Sequence, residues 1–552
     1  MKQIMRKILS GMAALAMVIT MAAPGITARA EEKAHETKVI LTKLKLKTLN
    51  DVTAQDTFGE EKTESDLANL FAGKEPETLD GVTFKVFEVK EAKAFKNMTE
   101  NSQDFKTEAA ITDAGGTLVK TAKTQNGGKI EMNLPDGNYW VIEMPNKDVV
   151  DALAVPFGMS LPMTNKDGTA VMDTVYVYPK NVTTEKPVPE KNVVSLNNFA
   201  GSVNVGEDTD FFLISSIPNG IDKYDVFTMR DDLKEAPCHG ALAFTDAQVK
   251  VVLLNKTNGK FADATVEKGE ALTKDDDYTL TVDNDAQTIS VSLTKAGREK
   301  MQAFHDTHKE PQIVVNFKAH PTKEAIKPGE ALNSYTVSYH HKGTVDGEGN
   351  PTDKEEKETS NKVKLVLSGK NFAKMKKGED VRLKGAEFIM SRTAEGKVAY
   401  LSKTSTDDKA VWTTKKEDAK VFKTNENGET AVSGLAYTKT VTQTDKDSET
   451  VTVVEDDKKY AYAFIETKAP KGYALLQDPI PFTINAGSRT ETDGIAVQTE
   501  TIKDVNPDDA SAMRIDNTKL TIPQTGGMGA LIFAVAGVLI MGAAYAGLKK
   551  ED

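Results

Sequence analysis

Lysines, carboxylic acids and asparagines recur on the apolar faces of short alternating stretches. In a strand, residues two apart share a face. Lys43 sides with Val39 and Leu41, Lys374 with Phe372, Glu143 with Tyr139 and Val141, and Glu466 with Tyr462 and Phe464. Asp231 sides with Phe227 and Met229, whereas Asp232 takes the opposite face. Asn333 sides with Tyr335, Val337 and Tyr339, and Asn517 with Met513 and Ile515. Asn181 falls in step with Val175, Val177 and Pro179, which leaves Lys180 to point outward with Tyr176 and Tyr178. On a solvated face each of these is an ordinary polar strand residue. Buried together, the three types do chemistry. Burial lowers a lysine's pKa until the amine is neutral and nucleophilic, and raises a carboxylic acid's until it keeps its proton. Such an amine attacks an asparagine's amide carbon, ammonia leaves, and the acid shuttles the protons.

Strands must hold these residues, and strand signal runs through the chain. Tyr278–Val282, Thr288–Leu293 and Ser334–Tyr339 alternate Val, Thr, Tyr and Ile with polar residues, between turns rich in Gly, Asn and Asp. This is the pattern of all-β sandwiches. Only Ser65–Ala72 and Lys295–His305 are helix candidates. Two polar seams, Thr183–Glu190 and Gly343–Asn361, divide the chain into domains at about 31–184, 185–361 and 362–520. At the N-terminus, Lys2, Arg6 and Lys7 precede the apolar stretch Ile8–Ala23 and the small-x-small triplet Ala28–Ala30, so residues 1–30 read as a secretory signal peptide. At the other end, residues 521–552 hold Ile522-Pro523-Gln524-Thr525-Gly526, an apolar run from Gly527 to Leu548, and a tail with Lys549 and Lys550. That run can span a bilayer, with the lysines on the cytoplasmic side; by itself it is a plain tail anchor.

Composition narrows the function. The 552 residues are 39% hydrophobic and 28% charged, ordinary for globular domains. A net charge of −12 argues against a nucleic-acid partner. The one cysteine, Cys238, cannot form an intrachain disulfide, so an exported chain needs another kind of tie.

Residues 522–526 resemble the LPxTG cell-wall sorting signal of Gram-positive surface proteins, with Ile522 where leucine is usual. In that family a sortase cysteine cuts between threonine and glycine and passes the threonine carbonyl to an amine. The resemblance makes Thr525 the acyl donor and the apolar helix a temporary hold. Val175–Asn181 resembles the pilin motif of sortase-assembled pili, with Val171 where tryptophan is expected, and so implies Lys180 as the acceptor amine. Tyr462–Tyr473 resembles the pilin E-box, with Phe464 in place of leucine. Phe372–Lys374 and Leu383–Phe388 resemble the opening strands of Cna B-type domains, and Arg514–Asn517 resembles their last strand. In these domains a lysine and an asparagine form an isopeptide bond with a carboxylic acid as catalyst. The resemblance implies Lys374 and Asn517 with Glu466, although Lys376 and Lys377 lie close to Lys374. Phe227–Leu233 and Asn333–Val337 resemble the Asp- and Asn-bearing strands of pilin middle domains, the latter a last strand, and imply Lys191, Asp231 and Asn333. In the first domain Lys43, Glu143 and Asn181 are the corresponding set; some major pilins form a bond there and others do not. Each bond would close a loop of about 140 residues, worth about 4–5 kcal/mol if the chain-entropy model for disulfides carries over.

Together these resemblances imply the major, shaft-forming pilin of a Gram-positive bacterium, with tandem immunoglobulin-like sandwiches joined head to tail through Lys180 and Thr525. Its partners would be identical subunits, a class C-type pilin sortase, a housekeeping sortase with peptidoglycan, minor pilins, and a host receptor that the sequence does not specify. It would meet a membrane only before sortase cleavage. A monomeric wall-anchored adhesin of the same domains would share all of this except a use for Lys180. No cofactor is expected. His305 with His308, and His340 with His341, lack a compact set of further metal ligands, and the acidic stretch at 343–355 lacks calcium-loop spacing. Cys238 has no placed base, and no turnover site for an external substrate is apparent.

Overall fold

The structure is a computed structural model. It describes residues 35–46, 59–63, 65–67, 77–146, 149–152, 156–183, 186–245, 248–262, 265–341, 354–448, 450–489 and 512–520. The expected signal peptide, the sorting segment with Thr525, and most of the acidic stretch lie outside these residues. No described helix is long and apolar enough to cross a membrane.

The protein is all-β, built from three two-sheet sandwiches in which alternating residues of both sheets meet in one core. In the first, Glu36–Thr42 lies between Thr174–Val177, parallel, and Lys129–Pro135, antiparallel. It faces a sheet of Gly116–Lys123, Thr83–Val89, Gly137–Glu143 and Phe157–Leu161. Val39, Leu41, Met132 and Val175 from one side meet Phe84, Val86, Tyr139 and Val141 from the other. A third small sheet continues the parallel pair, with Leu44–Leu46 beside Lys180–Thr183. Both chains therefore leave one sheet and enter another, breaking at Lys43 and at Tyr178–Pro179.

In the middle sandwich, Pro189–Val193, Thr209–Ser216, Pro311–Pro321 and Lys250–Asn255 face Tyr278–Asp283, Thr288–Leu293, Val226–Asp232, Tyr335–His340 and Glu356–Thr359. The Asn-bearing strand Glu330–Asn333 is not the last, contrary to the resemblance. It ends at Asn333 and pairs in a separate sheet with Val363–Val366, which also pairs with Ala200–Ser202. In the third sandwich, Ser368–Lys376 lies between Glu429–Leu435 and, parallel, Met513–Asn517. Opposite run Lys397–Leu401, Glu387–Ala394, Ala461–Lys468 and Ile480–Phe482. Its core is aromatic: Phe372 packs on Phe464 and Phe482, with ring centroids 4.2 and 5.0 Å away.

Helix content is low, as the sequence implies. Lys295–Thr307 is helical, begun by the Thr294 hydroxyl accepting from the Gly297 N–H, and buries Met301 and Phe304. Residues 65–67 are helical, and the rest of the other candidate lies outside the described residues. Helices Ala92–Glu100 and Glu108–Asp113 were not expected; Phe95, Met98 and Ile111 pack them against Trp140.

Candidate functional site: three buried lysine, carboxyl and asparagine sets

Each sandwich core contains one lysine, one carboxylic acid and one asparagine in contact. In the first, Lys43 follows the strand Glu36–Thr42 and is fully buried. Its Nζ lies 2.6 Å from Glu143 Oε2, and Asn181 Nδ2 donates to Glu143 Oε1. The Phe84 ring is 5.8 Å away. Burial pushes the Lys43 amine down to about 8 against the opposing pull of Glu143. Asn181 is buried and its Oδ1 has no hydrogen-bond partner.

In the middle sandwich Lys191 Nζ donates to Asp231 Oδ2, and Asn333 Nδ2 donates to the same oxygen at 3.2 Å. All three are buried, beside Phe211 and Tyr335. Burial lowers the Lys191 pKa and raises that of Asp231, so this pair is biased toward neutral amine and neutral acid. Asp231 Oδ1 and Asn333 Oδ1 have no hydrogen-bond partner. Asp232 faces away and pairs with Arg230.

In the third, Lys374 Nζ is 2.9 Å from Glu466 Oε1 and donates to Asn517 Oδ1. Asn517 Nδ2 donates to both Glu466 oxygens at 3.1 Å and to the Ala474 carbonyl at 2.9 Å. The Leu476 N–H donates to Glu466 Oε2 at 2.8 Å. Phe388 lies 5.3 Å from Nζ, and burial lowers the Lys374 amine to about 8. Lys376 is instead paired with Glu379.

Two further features were missed in the sequence. The Lys43 and Lys374 N–H groups each donate at 2.8 Å to the carbonyl of a left-handed glycine, Gly128 and Gly428. The signals were Asn126-Gly127-Gly128 and Asn425-Glu426-Asn427-Gly428, turn sequences just before strands. The second feature is the loop after the E-box strand, whose Ala474 carbonyl and Leu476 N–H orient amide and acid.

Lys180 does not project outward as expected; it is 5% exposed. The alternation was counted through Pro179, but one strand stops at Val177 and a strand of another sheet starts at Lys180. The new register pairs Lys180 with Leu44, on the face where Leu44, Leu67 and Tyr178 cluster. Burial also lowers its pKa. Cys238 is buried beside the middle set, and burial pushes its thiol up to about 11, which leaves little thiolate near neutral pH. Among the described residues no group of three His, Cys, Asp or Glu could hold a metal ion.

Residues 34–182 match the family described as Gram-positive pilin subunit D1, N-terminal domain. The chain is 27% identical over 453 residues to the fimbrial subunit type 1 of Actinomyces viscosus, covering 75% of this chain and 73% of that one. It is 26% identical over 428 residues to the fimbrial subunit type 2 of Actinomyces naeslundii, covering 75% and 69%. Similar solved structures include the major pilin SpaD of Corynebacterium diphtheriae, with TM-score 0.47 and 22% identity over 90% of this chain and 99% of that one. RrgB of Streptococcus pneumoniae gives TM-score 0.49 and 17% identity over 89% and 100%. Its first sandwich, residues 34–182, is thus similar to the N-terminal domain of Gram-positive pilin subunits.

Proposed function

We propose that this chain is the shaft subunit of a covalent surface pilus, displayed on a Gram-positive cell and linked to its wall. The observation that carries the reading is the buried lysine, carboxyl and asparagine set in each of three sandwiches, together with the relatedness to fimbrial subunits. The sets have the arrangement of reactants. The neutral lysine Nζ attacks the asparagine Cγ, the new C–N bond forms, the bond to Nδ2 breaks, and ammonia leaves after the carboxyl group has moved the protons. Glu143, Asp231 and Glu466 are the acids. The chain would be a substrate and a single-turnover autocatalyst, not a turnover enzyme.

Between subunits, a pilin sortase holds the Thr525 carbonyl as a thioester and the Lys180 amine of the next subunit displaces it. An open head-to-tail contact of this kind gives a filament. A housekeeping sortase would join the last subunit to peptidoglycan. The domains would be three sandwiches in series at about 31–184, 185–361 and 362–520, with the second seam better placed after Leu367, because Val363, Leu365 and Leu367 pack in the middle core. The burial of Lys180 favours the second reading, a monomeric wall-anchored adhesin, because an acceptor amine must be reached.

Two measurements test the proposal. Purified mature protein is expected to be lighter than its sequence mass by about 17 Da per bond, two or three times over. Boiled wall extracts are expected to show a high-mass ladder that Lys180→Ala abolishes while monomer stays exported and wall-linked. A full sequence mass removes the isopeptide chemistry; a ladder unchanged in the variant favours the adhesin.

A further inference from the structure

In each sandwich the backbone of the buried lysine is held across its chain by one donated and one accepted hydrogen bond. In the first and third, backbone groups make both. The Lys43 N–H donates to the Gly128 carbonyl at 2.8 Å, and the Lys43 carbonyl accepts from the Leu79 N–H at 3.0 Å. For Lys374 the partners are Gly428 at 2.8 Å and Leu383 at 2.7 Å. In the middle sandwich a single side chain makes both. Pro189–Val193 is the edge strand of its sheet, with Thr209–Ser216 as its one neighbour there. The Lys191 N–H donates to Asn361 Oδ1 at 2.9 Å, and Asn361 Nδ2 donates to the Lys191 carbonyl at 3.0 Å. Nδ2 also donates to the Lys362 carbonyl at 3.3 Å. Asn361 closes the polar seam Gly343–Asn361, a segment to which the resemblance gives no role.

The same segment holds the asparagine. Thr359 pairs with Thr336 in one sheet, and Val363 with Asn333 in another. Between them the Ser360 N–H donates to the Tyr335 carbonyl, and the Tyr335 N–H donates to Ser360 Oγ, both at 3.0 Å. Residues 359–363 thus run opposite 333–336 across the break at Ser334, with one residue in excess. An extra residue of this kind re-aims a side chain, and here the Asn361 amide is turned to Lys191. We propose that Asn361 is a positioning residue for the Lys191–Asn333 bond. It fixes the lysine strand against the asparagine strand, which keeps Nζ within reach of Asn333 Cγ. It acts through the Lys191 backbone and takes no part in the proton transfers. The inference rests on the isopeptide chemistry proposed above, in which the Nζ–Cγ bond forms and Asn333 Nδ2 leaves as ammonia. Misplacing reacting groups by about 1 Å can cost about 100-fold in rate. An edge strand held on one side only has room for such a shift.

The test uses the full chain, newly synthesised, quenched in acid at intervals and mapped for linked peptides. Asn361→Ala is expected to slow the appearance of the 191–333 linked peptide by about 10- to 100-fold, while the 374–517 peptide appears at the parent rate. Asn361→Asp keeps the acceptor for the Lys191 N–H and loses the donor to its carbonyl, so its rate should fall between the two. Leu253→Ala opens a cavity in the same core, three strands away in the Lys191 sheet, and controls for lost stability alone. Its 191–333 peptide should appear at the parent rate. A parent rate in Asn361→Ala overturns the positioning role, and so does an equal slowing in Leu253→Ala. If Asn361→Ala fails to fold, Asn361→Asp decides, and a parent rate there overturns the role. Absence of the 191–333 peptide from the parent overturns the isopeptide reading of the middle set, and the positioning role with it.

Discussion

A lysine in a β-sandwich core is costly unless its charge is neutralised or paired, and this chain buries one in each of three cores. The partner carboxyl offsets part of that cost, and the proposed conversion to an amide would remove it. Glu466→Ala is therefore expected to keep one ammonia that the parent loses. The Lys374–Asn517 cross-linked peptide should vanish from the map, and the third sandwich should lose about 4–5 kcal/mol of stability. The middle sandwich should keep its bond through Asp231. A cross-linked peptide at full yield would show that Glu466 is not the catalyst. A bond-free variant, Asn517→Ala, exposes the titration of Lys374. Its amine has a folded pKa of about 8 against 10.5 for the free side chain. Below about pH 8 both states are protonated and the burial cost is present in full. Between 8 and 10.5 only the unfolded chain stays protonated, so stability rises with pH, by on the order of 3 kcal/mol in all. The urea midpoint of the variant should rise between pH 7.5 and 10 relative to the parent, whose amide nitrogen does not titrate. Equal slopes would mean that Lys374 is not the buried amine.

At the scale of elements, three residues of the buried sets sit where strands break. Lys43 lies between two strands, Asn181 just after the break at Tyr178–Pro179, and Asn333 just before the break at Ser334. Such breaks carry a chain from one sheet to another, which brings the lysine-bearing and asparagine-bearing segments together around one carboxyl group. A left-handed glycine, Gly128, backs Lys43 at its break, and another, Gly428, backs Lys374 within its strand. A Cβ on Gly428 would lie 2.9 Å from the Leu383 nitrogen and 3.1 Å from the Lys374 carbonyl oxygen, at φ +70°. Gly472 has φ +86° but open space around it. Gly472→Ala should then cost about 1–2 kcal/mol, the left-handed penalty alone, and Gly428→Ala clearly more. Thermal unfolding of the two variants, each in the Glu466→Ala background, measures the difference. Equal shifts would mean that the turn at Gly428 relaxes away from Lys374.

Across the whole molecule, the second and third sandwiches are joined by more than a linker. The Asn198 Oδ1 accepts from the Thr442 hydroxyl and the Gln443 N–H, Ser202 Oγ from the Tyr437 N–H, and Asn204 Oδ1 from the Ala436 N–H. The strand Val363–Val366 serves both bodies: Val363 and Leu365 pack in the middle core and Val366 in the third. This junction has a mechanical consequence. The proposed bonds at Lys191–Asn333 and Lys374–Asn517 would leave the ~40 residues from Ser334 to Ala373 in the line of force, for a gain of at most about 140 Å. Pulling a single subunit by its ends should give one step of that size from this segment, and no release of a 140-residue loop. Steps several times longer would mean that the covalent ties are absent.

The sequence by itself determined the all-β class and the strand positions around Tyr278–Asp283 and Thr288–Leu293, and it named the residues that the structure brings together in three buried sets. Alternation and turn residues are local properties, and strand faces follow from them directly. The sequence also carried the pilin resemblance, because short motifs such as the E-box keep their residue types in order. The tertiary structure decided what depends on a change of sheet. Parity counted through Pro179 put Lys180 outside, and the switch to the Leu44 strand buried it. Parity counted through Ser334 gave Asn333 the right environment although the strand had already ended. The two short helices against Trp140 were hidden because a turn or two of helix has too few apolar positions to show a period. Val363–Val366 was cut off from the middle core for a related reason. Its alternation is visible, but only pairing with Ala200–Ser202 and Glu330–Asn333, distant in sequence, says which body it belongs to.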